Sequence, residues 1–415
     1  MQKCAPECSV IIPVYNKWDL TRNCLASLRE HSMAHDLEVV VVDNGSSDAT
    51  ASELVPLGKS LFGERFVPII FSANKNFGPA CNAGARAATS TLLFFLNNDT
   101  ILTPNWFPPL QKALHCHENF GAVGPLLLYE NGTVQHLGVT FGTIGPMHLY
   151  QDFPPDHPVV VKDRDLQCIT GAALMIRADL FQDCGEFFEE YQNGFEDLDI
   201  CVQLQRRGKK MRCIKESRIF HLESQTPGRK EGDDKNSILF TKRCGRDVYI
   251  DIHHHALRDG FSVFISDLLT VGFRLQEKDE QAITAKALGQ EGGVWQDLRK
   301  KHPLWIKGRE VLAQSLELAG RQVDALPLRG ELAEIEPMLN RYRDLARLVP
   351  FAATGTTWPG TVEKHLGIIA QNKSNKIYAQ ATLYGARQRF KQGGDPFLEQ
   401  AFEAKLKEMF PNDCG

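Results

Sequence analysis

Four short apolar runs, each separated from the next by a helical pattern, constrain this chain more than any other feature. Ser9 to Val14, Glu38 to Val42, Phe66 to Phe71 and Leu92 to Leu96 read as buried strands. Between them, Lys17 to His31 places Trp18, Leu25 and Leu28 at helical spacing, Asp48 to Phe62 reads as a second helix, and Gly78 to Thr89 as a helix of small residues. Strands that are apolar throughout and alternate with helices indicate βαβ units, and hence an α/β fold with a parallel sheet covered on both faces. Ligands of such sheets bind outside the carboxyl ends of the strands. The residues just after each strand therefore carry the functional information.

All four strand ends are polar. They read Pro13-Val14-Tyr15-Asn16, Asp43-Asn44-Gly45-Ser46-Ser47-Asp48, Asn74-Lys75-Asn76-Phe77-Gly78 and Asn97-Asn98-Asp99. One such loop would be ordinary turn and N-cap chemistry; four on one edge point to a ligand site. A carboxylate after a parallel strand, as at Asp99, suits Mg²⁺ or Mn²⁺, which take oxygen ligands from one or two carboxylates and substrate phosphates. Asp43 is placed to accept hydrogen bonds from a base or ribose. Glu196 and Asp197 form a candidate general base, and His221 is a candidate further ligand to the same metal.

Composition narrows the class. With 43% apolar and 24% charged residues the chain is an ordinary folded protein, and 415 residues suggest two or three domains at about 150 residues each. Its 47 basic and 51 acidic residues leave a net charge of −4, which offers no global field for nucleic acid. No apolar run approaches the ~20 residues of a membrane span, and Phe261 to Phe273 is broken by Ser262, Ser266 and Asp267. The N-terminal residues show no signal-peptide pattern. The 11 irregularly spaced cysteines include no Cys-x-x-Cys pair and read as reduced thiols. Together these give the expectation of a cytoplasmic protein, free or peripheral at the inner face of a membrane.

Several motifs fail on inspection. Gly58-Lys59-Ser60 has Glu53 where a phosphate-binding loop needs glycine, Asp197-Leu198-Asp199 continues to Cys201 where a calcium loop needs a ligand, and no Gly-x-Gly-x-x-Gly is present. His253, His254 and His255 cannot all face one metal from a helix or strand and are expected on a helix surface. The stretch from Gly121 to His221 is strand-like, with turns at Asn131-Gly132 and Gly142. Glu196 and Asp197 open an amphipathic helix carrying Ile200, Val202 and Leu204, and Ser217 to His221 follows as a short strand. From about Cys244 the pattern is mostly helical. Leu304 to Pro337 resembles one 34-residue tetratricopeptide hairpin, and Thr354 to Gly360 reads as a linker to the last helices.

Seven segments, in order, resemble family 2 glycosyltransferases of the GT-A fold: VIIPVYN, VVVVDNGSSD, NKNFGPACNAGARAA, LLFFLNNDT, TGAALMIRADLF, NGFEDLDICVQLQRRG and SRIFHLES, over roughly residues 8 to 245. The resemblance implies a Rossmann-like nucleotide-diphospho-sugar transferase domain at 1–245. A helical region at 246–353 with the hairpin at 304–337, and a linker with C-terminal helices at 354–415, complete the chain. It also implies an inverting, metal-dependent enzyme. Pro13, Tyr15 and Asn16 would line the nucleotide pocket, with Asp43 on the base and Asn44, Gly45 and Ser46 shaping the adjoining loop. Asn76, Gly78 and Asn82 would approach the ribose and phosphates. Asn97-Asn98-Asp99 stands where the family has Asp-x-Asp, with Asp99 the metal ligand and His221 completing the site; the neutral Asn97 implies weaker metal affinity. Asp197 is implied as the catalytic base ahead of Glu196. Arg243-Cys244 departs from the family's Arg-Trp pair.

The implied donor is a nucleotide-diphosphate sugar, with UDP- and dTDP-sugars first. The implied acceptor is a glycan, a lipid-linked glycan or a protein in cell-surface polysaccharide synthesis or protein glycosylation, and the helical tail offers a surface for a protein partner or a second copy of the chain. A sugar nucleotidyltransferase would need a glycine- and lysine-rich N-terminal signature, which CSVIIPVYNKWD lacks. A non-catalytic sugar-binding scaffold would have no need of Asp43, Asp99, Glu196, Asp197 and His221 together.

Overall fold

The structure is a computed structural model that describes residues 5–222, 233–353, 356–389 and 395–411. Part of the expected linker (Thr354 and Gly355) and the end of the SRIFHLES segment (Glu223 and Ser224) lie outside the described residues. Two compact units are present: Met1–Thr140 with His148–Val248, and Phe141–Met147 with Tyr249–Gly415.

In the first unit, strands β1 (Cys8–Val14), β2 (Leu37–Asp43), β3 (Phe66–Ile70) and β4 (Leu92–Leu96) alternate with helices α1 (Trp18–Glu30), α2 (Thr50–Phe62) and α3 (Phe77–Ala87). The strands run parallel in the order β3-β2-β1-β4. β1, β2 and β4 are buried along their whole length, which is why they carry no polar alternation. Val10, Ile12, Val39, Val41, Phe94 and Leu96 pack in one core with Trp106, Phe107 and Leu110. One carboxylate is buried with them: Glu38 accepts Ser9 Oγ at 2.5 Å and the Thr89 N–H and Oγ1 at 2.9 and 2.8 Å, which offsets its desolvation.

Beyond β4 the sheet is mixed rather than parallel. The chain continues through β5 (Thr100–Leu102), α4 (Phe107–Cys116), β6 (Phe120–Leu128), β7 (Val134–His136), β8 (Val139–Gly142), β9 (Gly145–His148), β10 (Ala173–Arg177), α5 (Ala178–Asp183), α6 (Glu196–Arg206), β11 (Lys210–His221) and α7 (Asp233–Cys244). The sheet order runs on as β4-β10-β6-β11-β5, with β10 antiparallel to both β4 and β6, and β5 antiparallel to β11. The expected short strand Ser217 to His221 is the end of the 12-residue β11.

This register builds the functional edge. Because β10 is antiparallel, Ala173 pairs with Leu96, so the residues entering β10 meet the residues leaving β4, and Asn97 N–H donates to the Ala172 carbonyl at 2.9 Å. At the other side, His221 pairs with Thr100, which sets the last residue of β11 beside Asp99.

The second unit is mostly helical. It contains α8 (Ile252–Arg258), then a hairpin of β12 (Ser262–Ile265) and β13 (Val271–Arg274), then helices α9 (Glu277–Ala287), α10 (Gly292–Lys301), α11 (Ile306–Leu318), α12 (Gln322–Ile335), α13 (Leu339–Leu348), α14 (Trp358–Ser374), α15 (Lys376–Arg389) and α16 (Pro396–Met409). The apolar stretch Phe261 to Phe273 is that hairpin, and the polar residues interrupting it form its turn. α11 and α12 pack together as a helical hairpin, and α12, α13 and α14 pack in series after it. Asp267 in the β-turn is buried and receives Lys405 Nζ at 2.7 Å, Lys373 Nζ at 3.1 Å and the Leu339 N–H at 2.8 Å, which ties the hairpin to α13, α14 and α16. Among the described residues no helix is long and apolar enough to cross a membrane.

Candidate active site

A cleft of about 310 Å³ opens at the carboxyl edge of the first unit's sheet. Pro13, Val14 and Tyr15 from the end of β1, Asn44 from β2, Asn74 and Phe77 ahead of α3, and Asn97, Asn98 and Asp99 from β4 line it. Thr170, Gly171 and Ala172 ahead of β10, and Asn193, Gly194, Glu196 and Asp197 at the start of α6, close the far side. Its size falls in the range of small-molecule sites.

Asp99 stands at one end, with His221 behind it. His221 Nε2 lies 3.1 Å from Asp99 Oδ1, and both side chains are almost wholly buried. The orientation of His221 is fixed from behind by Gln135. Its amide Nε2 donates to the His221 backbone carbonyl at 3.0 Å, so Oε1 is the atom left to accept from His221 Nδ1 at 2.7 Å. Nδ1 therefore donates to Gln135, and Nε2 is the ring nitrogen turned toward Asp99. A histidine whose second nitrogen is held by an oxygen acceptor, with the other beside a carboxylate, is the arrangement proteins use for divalent metal ligands. The donor set thus fits Mn²⁺ or Mg²⁺. Asn97 turns its amide nitrogen toward His221 Nε2 at 3.3 Å, and an amide nitrogen is no metal donor. Nearby His136 is held far below the usual imidazole range by burial, with His148 and His221 adding to the effect, and its Nε2 accepts the Thr170 N–H at 3.3 Å.

The acidic end is built on the first turn of α6. Asp197 Oδ2 accepts the Gly171 N–H at 2.8 Å and Oδ1 accepts the Leu198 N–H at 2.9 Å. Gly171 packs closely there: a Cβ would lie 3.1 Å from the Asp197 Cβ and press on that side chain. Glu196 is more deeply buried, and its Oε2 accepts the Gly194 N–H at 2.8 Å. Behind them, Asp199 receives Arg243 Nε at 2.7 Å, Tyr191 Oη at 2.9 Å and Gln203 Nε2 at 2.8 Å. Burial opposes the charge on Asp199, but these donors, led by Arg243, hold its carboxyl below the usual range. The Arg243 guanidinium also lies 3.5 Å above the Phe188 ring.

The remaining residues singled out from the sequence do not line this cleft. Asn16 Oδ1 accepts the Ser47 and Asp48 N–H groups at 2.8 and 3.3 Å, and its own N–H donates to Ser46 Oγ at 2.8 Å. Asp43 is buried and accepts the Ser46 N–H at 2.8 Å. Gly45 has φ +82°, and a Cβ there would strike the Ala73 backbone at 2.7 Å. The Asn76 carbonyl accepts from Asn44 Nδ2 at 3.0 Å. Gly78 sits in α3 beside Phe187 and Phe188. The Asn82 amide is engaged by Phe187, donating to its carbonyl at 2.8 Å and accepting its N–H at 3.0 Å, and donates to Glu189 Oε1 at 3.0 Å. Sequence reasoning missed Gln135 and the Arg243–Asp199 pair, whose partners are remote in the chain.

The strand order, with its parallel half, its antiparallel β10 and a cleft at the switch between them, is the GT-A architecture. The sequence model described as Glycosyl transferase family 2 matches residues 9–185. The O-antigen biosynthesis protein RfbC of Myxococcus xanthus is 30% identical over 226 residues, 53% of this chain and 17% of that protein. The uncharacterized protein y4gI of Sinorhizobium fredii is 26% identical over 240 residues, 56% of this chain and 26% of that protein. The chain thus spans only about a sixth to a quarter of the length of these relatives. Among solved structures, GalNAc-T7 with UDP, GalNAc and Mn²⁺ aligns with a TM-score of 0.44 at 16% identity, covering 53% of this chain and 44% of that one.

Proposed function

We propose that the chain is an inverting glycosyltransferase that moves a sugar from a nucleotide-diphosphate donor to an acceptor hydroxyl. The observation that carries this reading is that Asp99, backed by His221, and the carboxylates Glu196 and Asp197 line one cleft although they come from distant elements. Exposed Tyr15 and the ring of Phe77 supply flat apolar surface for a base in the same cleft.

Asp99 and His221 would hold Mn²⁺ or Mg²⁺, which supplies Lewis-acid stabilisation of a departing diphosphate when bound. Asp197 removes the proton from the attacking acceptor hydroxyl; its two oxygens are oriented by backbone N–H groups and each keeps a lone pair for that task. Glu196, buried and bonded into its own loop, shapes the start of α6. With base and leaving group on opposite sides of the sugar, displacement proceeds once, with inversion. The relationship to an O-antigen biosynthesis protein supports a surface-polysaccharide acceptor, with lipid-linked glycan and protein as the other two classes.

The test is nucleoside-diphosphate release from a panel of UDP-, dTDP- and GDP-sugars with Mn²⁺ and a saccharide acceptor mixture. Release from at least one donor above an Asp197→Asn background is expected. No release from any donor overturns the reading.

A further inference from the structure

The second unit holds a cluster that the transferase reading does not use. His253 and His254 are adjacent on α8, and side chains at successive helix positions ordinarily diverge by about 100°. Here both rings swing the same way. His253 Nε2 lies 2.5 Å and His254 Nε2 2.7 Å from the same atom, Asp395 Oδ2. The three donor atoms lie within 4.8 Å of one another. The pattern expected from the sequence, a histidine run on a helix surface, is thus corrected for His253, whose side chain is 1% exposed. His255 alone turns away, toward Asp251.

We propose that His253, His254 and Asp395 form a cation site for a borderline divalent transition ion of the Zn²⁺ type, distinct from the donor cleft and independent of the transferase reading. Two imidazole nitrogens and one carboxylate oxygen are a Zn²⁺-type donor set, whereas Mg²⁺ and Ca²⁺ prefer oxygen alone. The parts are pre-positioned. The His253 ring stacks on Phe397 at 5.9 Å with an interplanar angle of 10°, and it meets the His254 ring edge-on at 4.0 Å. Asp395 divides its oxygens: Oδ1 caps α16 by accepting the Phe397 and Leu398 N–H groups at 3.1 and 3.2 Å, and Oδ2 faces the histidines. A ligating carboxylate steadied through its second oxygen is the usual outer support of a metal site.

Present N···O spacings are those of hydrogen bonds. A tetrahedral ion with bonds of about 2.0–2.2 Å needs its ligand atoms roughly 3.3 Å apart, a ring shift of under about 1 Å. His254 is 57% exposed, which gives the ion and a completing water a path from solvent.

The experiment compares the untagged full-length wild type with His254→Ala, Asp395→Asn and His255→Ala, by equilibrium dialysis against Zn²⁺ with elemental analysis and by thermal melting with and without Zn²⁺. Asparagine remains a good N-cap, and His254 is mostly exposed, so neither substitution removes core packing. Wild type and His255→Ala should bind one more equivalent of Zn²⁺ than His254→Ala and Asp395→Asn, and only the first two should gain melting temperature with Zn²⁺. Using differences cancels any ion held at Asp99. Equal Zn²⁺ binding by His254→Ala and wild type, or equal Zn²⁺ gains in melting temperature, overturns the proposal and leaves the cluster a plain hydrogen-bonded cap.

Discussion

His221, the last residue of β11, presents its Nε2 to Asp99 Oδ1 at 3.1 Å, and the pairing of His221 with Thr100 in the sheet fixes that approach. Asp99→Ala removes the carboxylate while leaving the backbone bond from Leu222 N–H to the residue-99 carbonyl intact. The fold should persist by circular dichroism. Mn²⁺-dependent nucleotide binding, read by calorimetry, should vanish, and donor turnover should fall at least about a hundredfold. Unchanged turnover with Mn²⁺ would remove Asp99 from the metal site.

Gln135 contributes by orienting His221 rather than by touching a ligand. Gln135→Leu keeps most of the volume but abolishes the bond to Nδ1, freeing the ring and its tautomer. Loss of such a support typically weakens metal affinity about 10–100-fold. The expected signature is a raised Mn²⁺ requirement with near-normal turnover at saturating Mn²⁺. A fall in maximal turnover at an unchanged Mn²⁺ requirement would contradict this role.

The two neighbouring carboxylates on α6 should behave differently. Asp197→Asn keeps the Gly171 N–H partnered but offers no proton acceptor, so donor binding should survive and turnover drop about 10²–10⁴-fold. Glu196→Gln should cost stability more than catalysis, because that side chain is buried and tied to Gly194. If turnover falls further in Glu196→Gln at unchanged donor affinity, the base is Glu196.

What the sequence made legible, and what it did not, follows from range. β1 to β4 and their helices were readable because each apolar run is both continuous and flanked by its own helix, and the polar strand ends announce themselves within a few residues. The antiparallel half was not readable as topology. β10 and β11 find their places through pairings with β4 and β6, which no local pattern encodes. Gln135 and Arg243 were hidden for the same reason: each acts on a residue more than forty positions away, His221 and Asp199 respectively. The histidine run on α8 was readable as a motif, but its meeting with Asp395 requires the C-terminal helix to fold back.

Arg243 should matter for stability in a pH-dependent way. Asp199 is 3% exposed, and Arg243→Met removes its cationic partner while Tyr191 and Gln203 stay bonded to it, at a cost of about 2–4 kcal/mol near neutral pH. The sign follows from the depressed Asp199 pKa: its stabilisation is complete above the ordinary aspartate value near 3.9 and is lost as pH falls through the lower folded value. The stability gap between wild type and Arg243→Met in urea should therefore be large at pH 7 and narrow below about pH 4. A gap independent of pH would assign Arg243 its stacking on Phe188 alone.

The change to a helical pattern near Cys244 and the family resemblance place a boundary near residue 245; Phe141–Met147, far upstream of it, belongs to the second unit. The Phe141 N–H donates to Asp251 Oδ1 at 2.8 Å, the Asp251 N–H donates back to the Phe141 carbonyl at 3.1 Å, and the Phe141 side chain is fully buried. A fragment ending after Val248 keeps this phenylalanine but loses both bonds and the rest of its unit. Uncovering a buried aromatic of this size costs about 1.5–3 kcal/mol in transfer free energy and creates an adhesive patch. The fragment should therefore express poorly and bind a hydrophobic dye, and Phe141→Ser in the same fragment should recover soluble protein. A wild-type fragment that is soluble and dye-silent would show that residues 141–147 refold without their partners.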